Sequence, residues 1–264
     1  MNLELEGKMA LVTGSTLGIG FAIVRALARE GARVVVNGRT DDRVAAAMAK
    51  IRTEFADARV TGIAADLGTA EGVAGLVAEL PDVDILVNNL GIFEPKSFEK
   101  ISDAEWLRFF EVNVMSGVRL SRHYLPRMKQ RNWGRIVFIS SESGINIPAE
   151  MIHYGMTKSA QISIARGLAE TTAGSAVTVN SVLPGPTASE GVAAFVDQLA
   201  KDRGVSVAEV EREFFRSTRP TSLLKRFIHP EEVASLVAYV CSPLSSATNG
   251  AALRVEGGCV RSMI

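Results

Sequence analysis

Short runs of uninterrupted apolar residues alternate with longer stretches of helical spacing along most of the chain, and few folds accept that rhythm. In the first half MALVTG (9–14), RVVVNG (33–38), RVTGIAAD (59–66) and DILVNN (84–89) are separated by FAIVRALARE (21–30), DDRVAAAMAKIRTEF (41–55) and TAEGVAGLVAEL (69–80). Continuous rather than alternating hydrophobicity marks strands covered on both faces, and strands joined by helices run parallel. The rhythm continues with a helical stretch from about Asp103 to Met128, then RIVFIS (135–140), HYGMTKSAQISIARGLAE (153–170), AVTVNSV (176–182), PEEVASLVAYVC (230–241) and AALRVEG (251–257). The pattern predicts a single doubly wound α/β domain over residues 1–264, its seven-stranded parallel sheet flanked by helices.

Composition narrows the partners. The 264 residues are 47% hydrophobic and 22% charged, which suits one large core, and 29 basic residues balance 29 acidic ones. With no net charge there is no whole-chain field to draw in nucleic acid or an anionic membrane, so the expected partner is a small molecule or another protein. Cys241 and Cys259 form no CxxC and have no histidine at metal-ligand spacing, so neither a disulfide nor a metal site is expected. The start lacks a basic segment followed by an apolar one, and nowhere are there 18 consecutive apolar residues, so a cytoplasmic location is expected.

Residues 184–229 break the rhythm. They open with PGPTASEG and carry the helical patches VAAFVDQLA and AEVEREFF with no strand between them. Such an insertion reads as a surface αα-hairpin or as an active-site lid, here at about 187–217, with Phe195, Phe214 and Phe215 offering apolar contacts.

The glycine turn TGSTLGIG, Thr13 to Gly20, lies between the first strand and the first helix of this Rossmann-type pattern. Glycines there permit a tight turn and leave the helix N-terminal N–H groups free for a pyrophosphate, which makes Gly14, Ser15, Thr16, Leu17, Gly18, Ile19 and Gly20 candidate cofactor contacts. Their spacing, Gly-x3-Gly-x-Gly, differs from the commonest dinucleotide fingerprint. About 20 residues on, where a carboxylate for the adenosine ribose is expected, stand Gly38 and Arg39. A guanidinium in place of a carboxylate favours NADP(H) over NAD(H). Asp66 either accepts from the adenine amino group or caps the next helix.

Four further stretches end at the carboxyl edge of the sheet or lie near it. Asn88 and Asn89 of NNLG either tie strands together or line the crevice. Asn113, polar within FFEVNVMSGV, needs partners if it is buried. Ser140 and Ser141 end the fifth strand, 14 and 13 residues before Tyr154. Tyr154 and Lys158 share a helix face, and an ammonium nearby would lower a tyrosine pKa toward working pH, as a general acid/base requires.

Taken in order, TGSTLGIG, NNLG, Asn113, Ser141, Tyr154-x3-Lys158, PG at 184–185 and VEGG at 255–258 resemble the short-chain dehydrogenase/reductase family over essentially the whole chain. The resemblance implies an oxidoreductase that moves hydride between a nicotinamide and a carbonyl or secondary alcohol. By the same resemblance Tyr154 protonates the carbonyl oxygen, Ser141 polarises it, Lys158 tunes Tyr154 and holds the nicotinamide ribose, and Asn113 holds a water linking Lys158 to solvent. Cofactor contacts would include Leu67 beside Asp66, Asn89, Gly91, Tyr154, Lys158, Pro184 and Gly185, with Thr187 or Ser189 at the nicotinamide carboxamide. A homotetramer is implied, with helices 103–128 and 153–173 in one interface and the last helix and strand in another.

Several positions depart from the family pattern. Leu90 adds bulk where the family has a small residue, which would narrow the crevice floor. Glu142, directly after Ser141, is expected to point outward; facing the pocket it would instead disfavour anionic substrates or contact hydroxyls. VDILVNNLGI and MKQRNWGRIVFIS resemble 3-oxoacyl-acyl-carrier-protein reductases, for which Arg131 would serve carrier docking, but Ser175 stands where a second positive charge is expected. His123, His153 and His229 have no triad or metal geometry, and His153 at most lines the pocket. A cofactor-binding regulator without turnover is the alternative of another class, and the presence of Asn113, Ser141, Tyr154 and Lys158 weighs against it.

Overall fold

Every strand expected from the pattern forms. The computed structural model describes residues 2–263, with the side chain of Phe195 outside that description. Strands β1 (Met9–Val12), β2 (Arg33–Gly38), β3 (Val60–Ala64), β4 (Ile85–Asn88), β5 (Gly134–Ile139), β6 (Val177–Pro184) and β7 (Ala252–Val255) pair in parallel in the order β3-β2-β1-β4-β5-β6-β7. The chain works outward from β1 to β3, then crosses back to place β4 on the other side of β1. The order reverses between β1 and β4, and in such sheets a crevice opens there at the carboxyl ends of the strands.

Both faces of the sheet are buried, which is why its strands are apolar without alternation. Ala10 and Val12 of β1, with Ile85 and Val87 of β4, pack into one core with helices α1 (Gly18–Arg29), α2 (Asp41–Glu54) and α9 (Pro230–Cys241). Leu11 and Leu86, between them in sequence, face the opposite core under α3 (Ala70–Glu79), α5 (Ser116–Gln130) and α6 (Ile152–Glu170). Full burial of each such aliphatic side chain is worth roughly 1.5–3 kcal/mol. Both cysteines are free and buried, and burial pushes the thiol of Cys241 up to about 12 and that of Cys259 to about 11.

Two regions depart from the simple pattern. The expected helix from Asp103 to Met128 is continuous in direction but contains a π-helical turn, Glu111–Met115, between α4 (Asp103–Phe110) and α5. That wider turn carries Asn113, and such turns often occur where a helix serves a site. The strandless insertion is helical. Helix α7 (Glu190–Arg203) is capped by Ser189 and closed by Gly204 in the left-handed conformation, φ 64°, and α8 (Val207–Glu213) is capped by Ser206. Val196, Ala200 and Val210 give the pair its own small core, and a single bridge between Thr187 and Ile228 is its only strand-like contact among the described residues. No described helix is long and apolar enough to cross a membrane.

Candidate active site

The crevice begins at the glycine turn. Gly14 and Gly18 have φ of 60° and 59°, the left-handed region that favours glycine, and they deliver the chain into α1 with no side-chain cap at Leu17 and no acidic residue in the first turn. The helix N-terminus is therefore available to an anion. One already occupies it: Oε2 of Glu190, at the start of α7, accepts from the Gly18 N–H at 2.7 Å. Ser15 is fully buried, its hydroxyl donating to the Val12 carbonyl and accepting from the Asn37 N–H, so its side chain shapes the turn instead of facing the crevice. Asn37 is a residue the sequence pattern did not single out; its Oδ1 accepts from the Gly14 N–H and its amide spans the carbonyls of Ile63 and Ala65.

At the end of β2, Thr16 fills the space over Gly38, where a Cβ would meet its methyl group at 2.5 Å. Arg39 is exposed and makes no hydrogen bond or ion pair among the described residues. Asp66 is exposed, with Oδ1 accepting from Gly68 N, while Leu67 is buried in the core and offers the crevice only its backbone. Asn89 ties strands: its amide donates to the carbonyls of Thr13 and Gly14. Leu90 packs directly against Gly14, its bulk taken up beneath the turn. Gly91 is exposed beside Lys158 and Asn113.

Beyond β6, Gly185 is pressed against the backbone of Glu256. Thr187 is buried and its hydroxyl donates to the Gly185 carbonyl, whereas Ser189 lies against Gly18. Of the two hydroxyls considered for the nicotinamide side, Ser189 is the one next to the glycine turn.

The serine pair divides its duties. Ser140 donates to the Lys158 carbonyl and so pins β5 to α6. Ser141 accepts from the Ser143 N–H at 3.1 Å, and its hydroxyl is near enough to Tyr154 to favour the phenolate. Their approach depends on two bare positions: a Cβ on Gly144 would lie 2.9 Å from the Lys158 backbone, and one on Gly155 would lie 2.7 Å from Ile147. Phe93, 54% exposed, sets its ring edge-on to Tyr154 at 6.3 Å and forms an apolar wall.

The electrostatics of Tyr154 and Lys158 differ from the expectation. Burial raises the Tyr154 hydroxyl to about 12, partly offset by the Ser141 hydrogen bond, with Glu142 pushing further up and Arg219 down. Burial lowers Lys158 to about 7, so the ammonium that was to depress the tyrosine is itself disfavoured. Its Nζ donates to the Ile139 carbonyl at 2.9 Å and lies 5.6 Å from the centre of the Tyr154 ring.

Asn113 is buried, and its side chain is fully engaged. Oδ1 accepts from Ile92 N, and Nδ2 donates to Ile92 O and to the Thr157 hydroxyl. Its backbone carbonyl accepts from Nε2 of Gln161 at 2.6 Å, and Oε1 of the same glutamine accepts from Lys158 Nζ at 3.2 Å. A side-chain amide thus links Lys158 to the backbone of Asn113. Gln161 could have been noticed in sequence as a polar residue one turn after Lys158, among apolar neighbours.

Glu142 does not point outward. It is 2% exposed and accepts from Arg219 Nε at 3.0 Å, while Arg219 Nη1 donates to Glu150 at 3.0 Å. Burial holds the Glu142 carboxyl above its usual range despite Arg219, and its Oε2 lacks a well-formed hydrogen bond. Arg219 follows directly on the π-helical turn Phe214–Thr218 that comes after α8, and its guanidinium sits 6.0 Å from the Phe214 ring. Phe214, Phe215 and Phe227 pack together there, so these lid rings contact one another. His153 packs between Phe109 and Trp106 of α4, away from Ser141, and burial lowers its pKa. Arg131 is bound to Asp82 at 2.5 Å and to the Val83 carbonyl.

Comparison with known proteins adds to this geometry. Residues 8–200 match the sequence model of the short chain dehydrogenase family. The chain is 52% identical to the uncharacterized oxidoreductase YvaG of Bacillus subtilis strain 168, over 100% of both chains. It is 33% identical to the 3-oxoacyl-[acyl-carrier-protein] reductase FabG of Aquifex aeolicus strain VF5, over 98% of this chain and 99% of the other. Among solved structures, L-sorbose reductase from Gluconobacter frateurii, complexed with NADPH and L-sorbose, superposes with a TM-score of 0.94 at 30% identity, covering 100% of both chains.

Proposed function

This chain belongs to the short chain dehydrogenase family, oxidoreductases acting on alcohol and carbonyl groups with NAD(P), and on that premise we propose that it uses NADP(H), with Tyr154 as proton donor to a small carbonyl substrate. The observation that carries the proposal is the meeting of the Ser141 and Tyr154 hydroxyls beside Lys158 at the carboxyl edge of the sheet. The nicotinamide supplies or takes up the hydride, while the chain binds, orients and moves the proton.

Each side chain has a task that its surroundings suit. Ser141 holds the substrate oxygen by donating to it as charge develops there. Tyr154, raised to about 12, stays protonated at neutral pH and can release its proton to the more basic alkoxide formed in reduction. The N-terminus of α1 fits a pyrophosphate: it has no side-chain cap and already accepts a carboxylate. Arg39, exposed and without a partner among the described residues where a ribose carboxylate would stand, supports a 2′-phosphate and hence NADP(H).

Arg219 and its two carboxylates favour a neutral, hydroxyl-bearing carbonyl compound as substrate. They carry no net positive charge for a carboxylate substrate to pair with, yet they combine acceptor oxygens with the Nη2 donor of Arg219, which makes no hydrogen bond among the described residues. A hydroxyl can both donate and accept, so it suits such a set. Similarity to a reductase complexed with L-sorbose agrees with that choice. A carrier-protein thioester has less support, because the charge of Arg131 is already paired with Asp82.

The test is NADPH oxidation with sugars, simple ketones and acetoacetyl thioesters, in the native protein and in Tyr154→Phe. Turnover is expected with hydroxylated carbonyls, falling by about 10²–10⁴-fold in the variant while NADPH affinity is kept. Tight NADPH binding with no turnover on any compound would point to the regulator instead, and an active Tyr154→Phe would remove the assignment of the proton donor.

A further inference from the structure

We propose that Gln161 is a positioning residue, its side-chain amide clamping Lys158 to the backbone carbonyl of Asn113 so that the lysine presents its remaining N–H toward Tyr154 and the crevice. Gln161 lies three residues after Lys158, on the same face of α6, and is 1% exposed. Its two ends are unambiguous. An ammonium can only donate, so Oε1 must face Lys158; a carbonyl can only accept, so Nε2 must face Asn113.

Lys158 has three N–H donors. One goes to the Ile139 carbonyl at the end of β5 and one to Gln161, which leaves the third on the side of Gly91 and the Tyr154 ring. Without Gln161 the ammonium would keep a single protein acceptor and could turn away. The clamp is also anchored at its far end, because Asn113 is bound through its side chain to Ile92 and to Thr157.

The surroundings of Lys158 make this amide consequential. The elements packed around it present neutral groups: Ile139 from β5, Gly91 after β4, Asn113 from the π-helical turn, and Thr157 and Gln161 from α6 itself. Tyr154 is the titratable group it faces, and burial alone accounts for its shift. An uncharged acceptor is thus what favours the ammonium over the neutral amine. An amide also gives up its protons far less readily than water, so Gln161 holds the lysine in place and does not relay its proton.

The inference rests on Tyr154 and Lys158 acting as proposed. Gln161→Leu and Gln161→Glu, with Gln161→Met as a milder replacement, would be compared with the native protein by kcat, carbonyl KM and pH profile of NADPH-dependent reduction, with thermal melts as the check on folding. Losing the acceptor should lower kcat about ten- to a hundredfold with KM within about threefold. It should also move the alkaline limb that reports the ammonium to lower pH; a carboxylate at 161 should move it to higher pH. Opposite shifts support the clamp. A native pH profile in Gln161→Leu, or shifts of the same sign in both, overturns it. Should Gln161→Leu fail to fold, Gln161→Glu and Gln161→Met decide by the same limb, and an unmoved limb overturns the clamp. An active Tyr154→Phe would instead overturn the prior assignment of the proton donor.

Discussion

Tyr154 and Lys158 are ionisable groups one helical turn apart, and burial drives them in opposite directions, the phenol up to about 12 and the amine down to about 7. In each case the uncharged form gains, so the site rests as a neutral acid suited to protonating an alkoxide. Oxidation of an alcohol would need the phenolate, so its rate should climb with pH, whereas reduction should fall off where Lys158 loses its proton. Arg39 presents the opposite situation, an exposed charge with no partner among the described residues. Replacing it by alanine should weaken NADPH by about ten- to a hundredfold while changing NADH little, as read by fluorescence titration; equal losses for both would exclude a contact with the 2′-phosphate. The place of Arg39 was legible because it follows the second strand. That burial would outweigh the lysine's influence on Tyr154 was not, since the depth of both groups depends on helices and loops remote in sequence.

Helix α7 and the glycine turn are 172 residues apart at their point of contact, yet Glu190 bonds to the first N–H of α1. The carboxylate there stands where a phosphate would bind, because both are drawn to the same free N–H groups and positive end of the helix. Glu190→Gln should bind NADPH about three- to tenfold more tightly, and unchanged or weaker binding would show that the two do not compete. The helical character of this insertion was expected from its lack of a strand, whether as a surface hairpin or as a lid. Its first-turn contact with α1 carries no periodic signal, and neither does the π-helical turn at Asn113, which keeps the apolar spacing of an ordinary helix while widening one turn.

At the scale of the molecule, α4 leaves Leu107 70% exposed with Phe110 beside it, and α9 exposes Tyr239. These lie on the elements expected to meet in a homotetramer, and exposed apolar side chains of this size gain by being covered. Light scattering should give four times 28.2 kDa for the native chain, and Leu107→Glu should yield a smaller species. A native monomer would contradict the assembly.

The sequence by itself determined the seven-stranded parallel sheet, the crevice at its switch point, the glycine turn, and the arrival of Ser141, Tyr154 and Lys158 at one edge. The sheet and the turn follow from the period of burial and from short-range spacing, which a linear pattern carries in full, whereas the grouping of Ser141 with Tyr154 and Lys158 was implied only by the family resemblance. Only the tertiary structure decided that Gln161 spans Lys158 and Asn113, and that Glu142 turns inward to Arg219, 77 residues away. Each of these choices is made by a partner on another element, in a buried space where a polar group must find whatever donor or acceptor the packing brings to it.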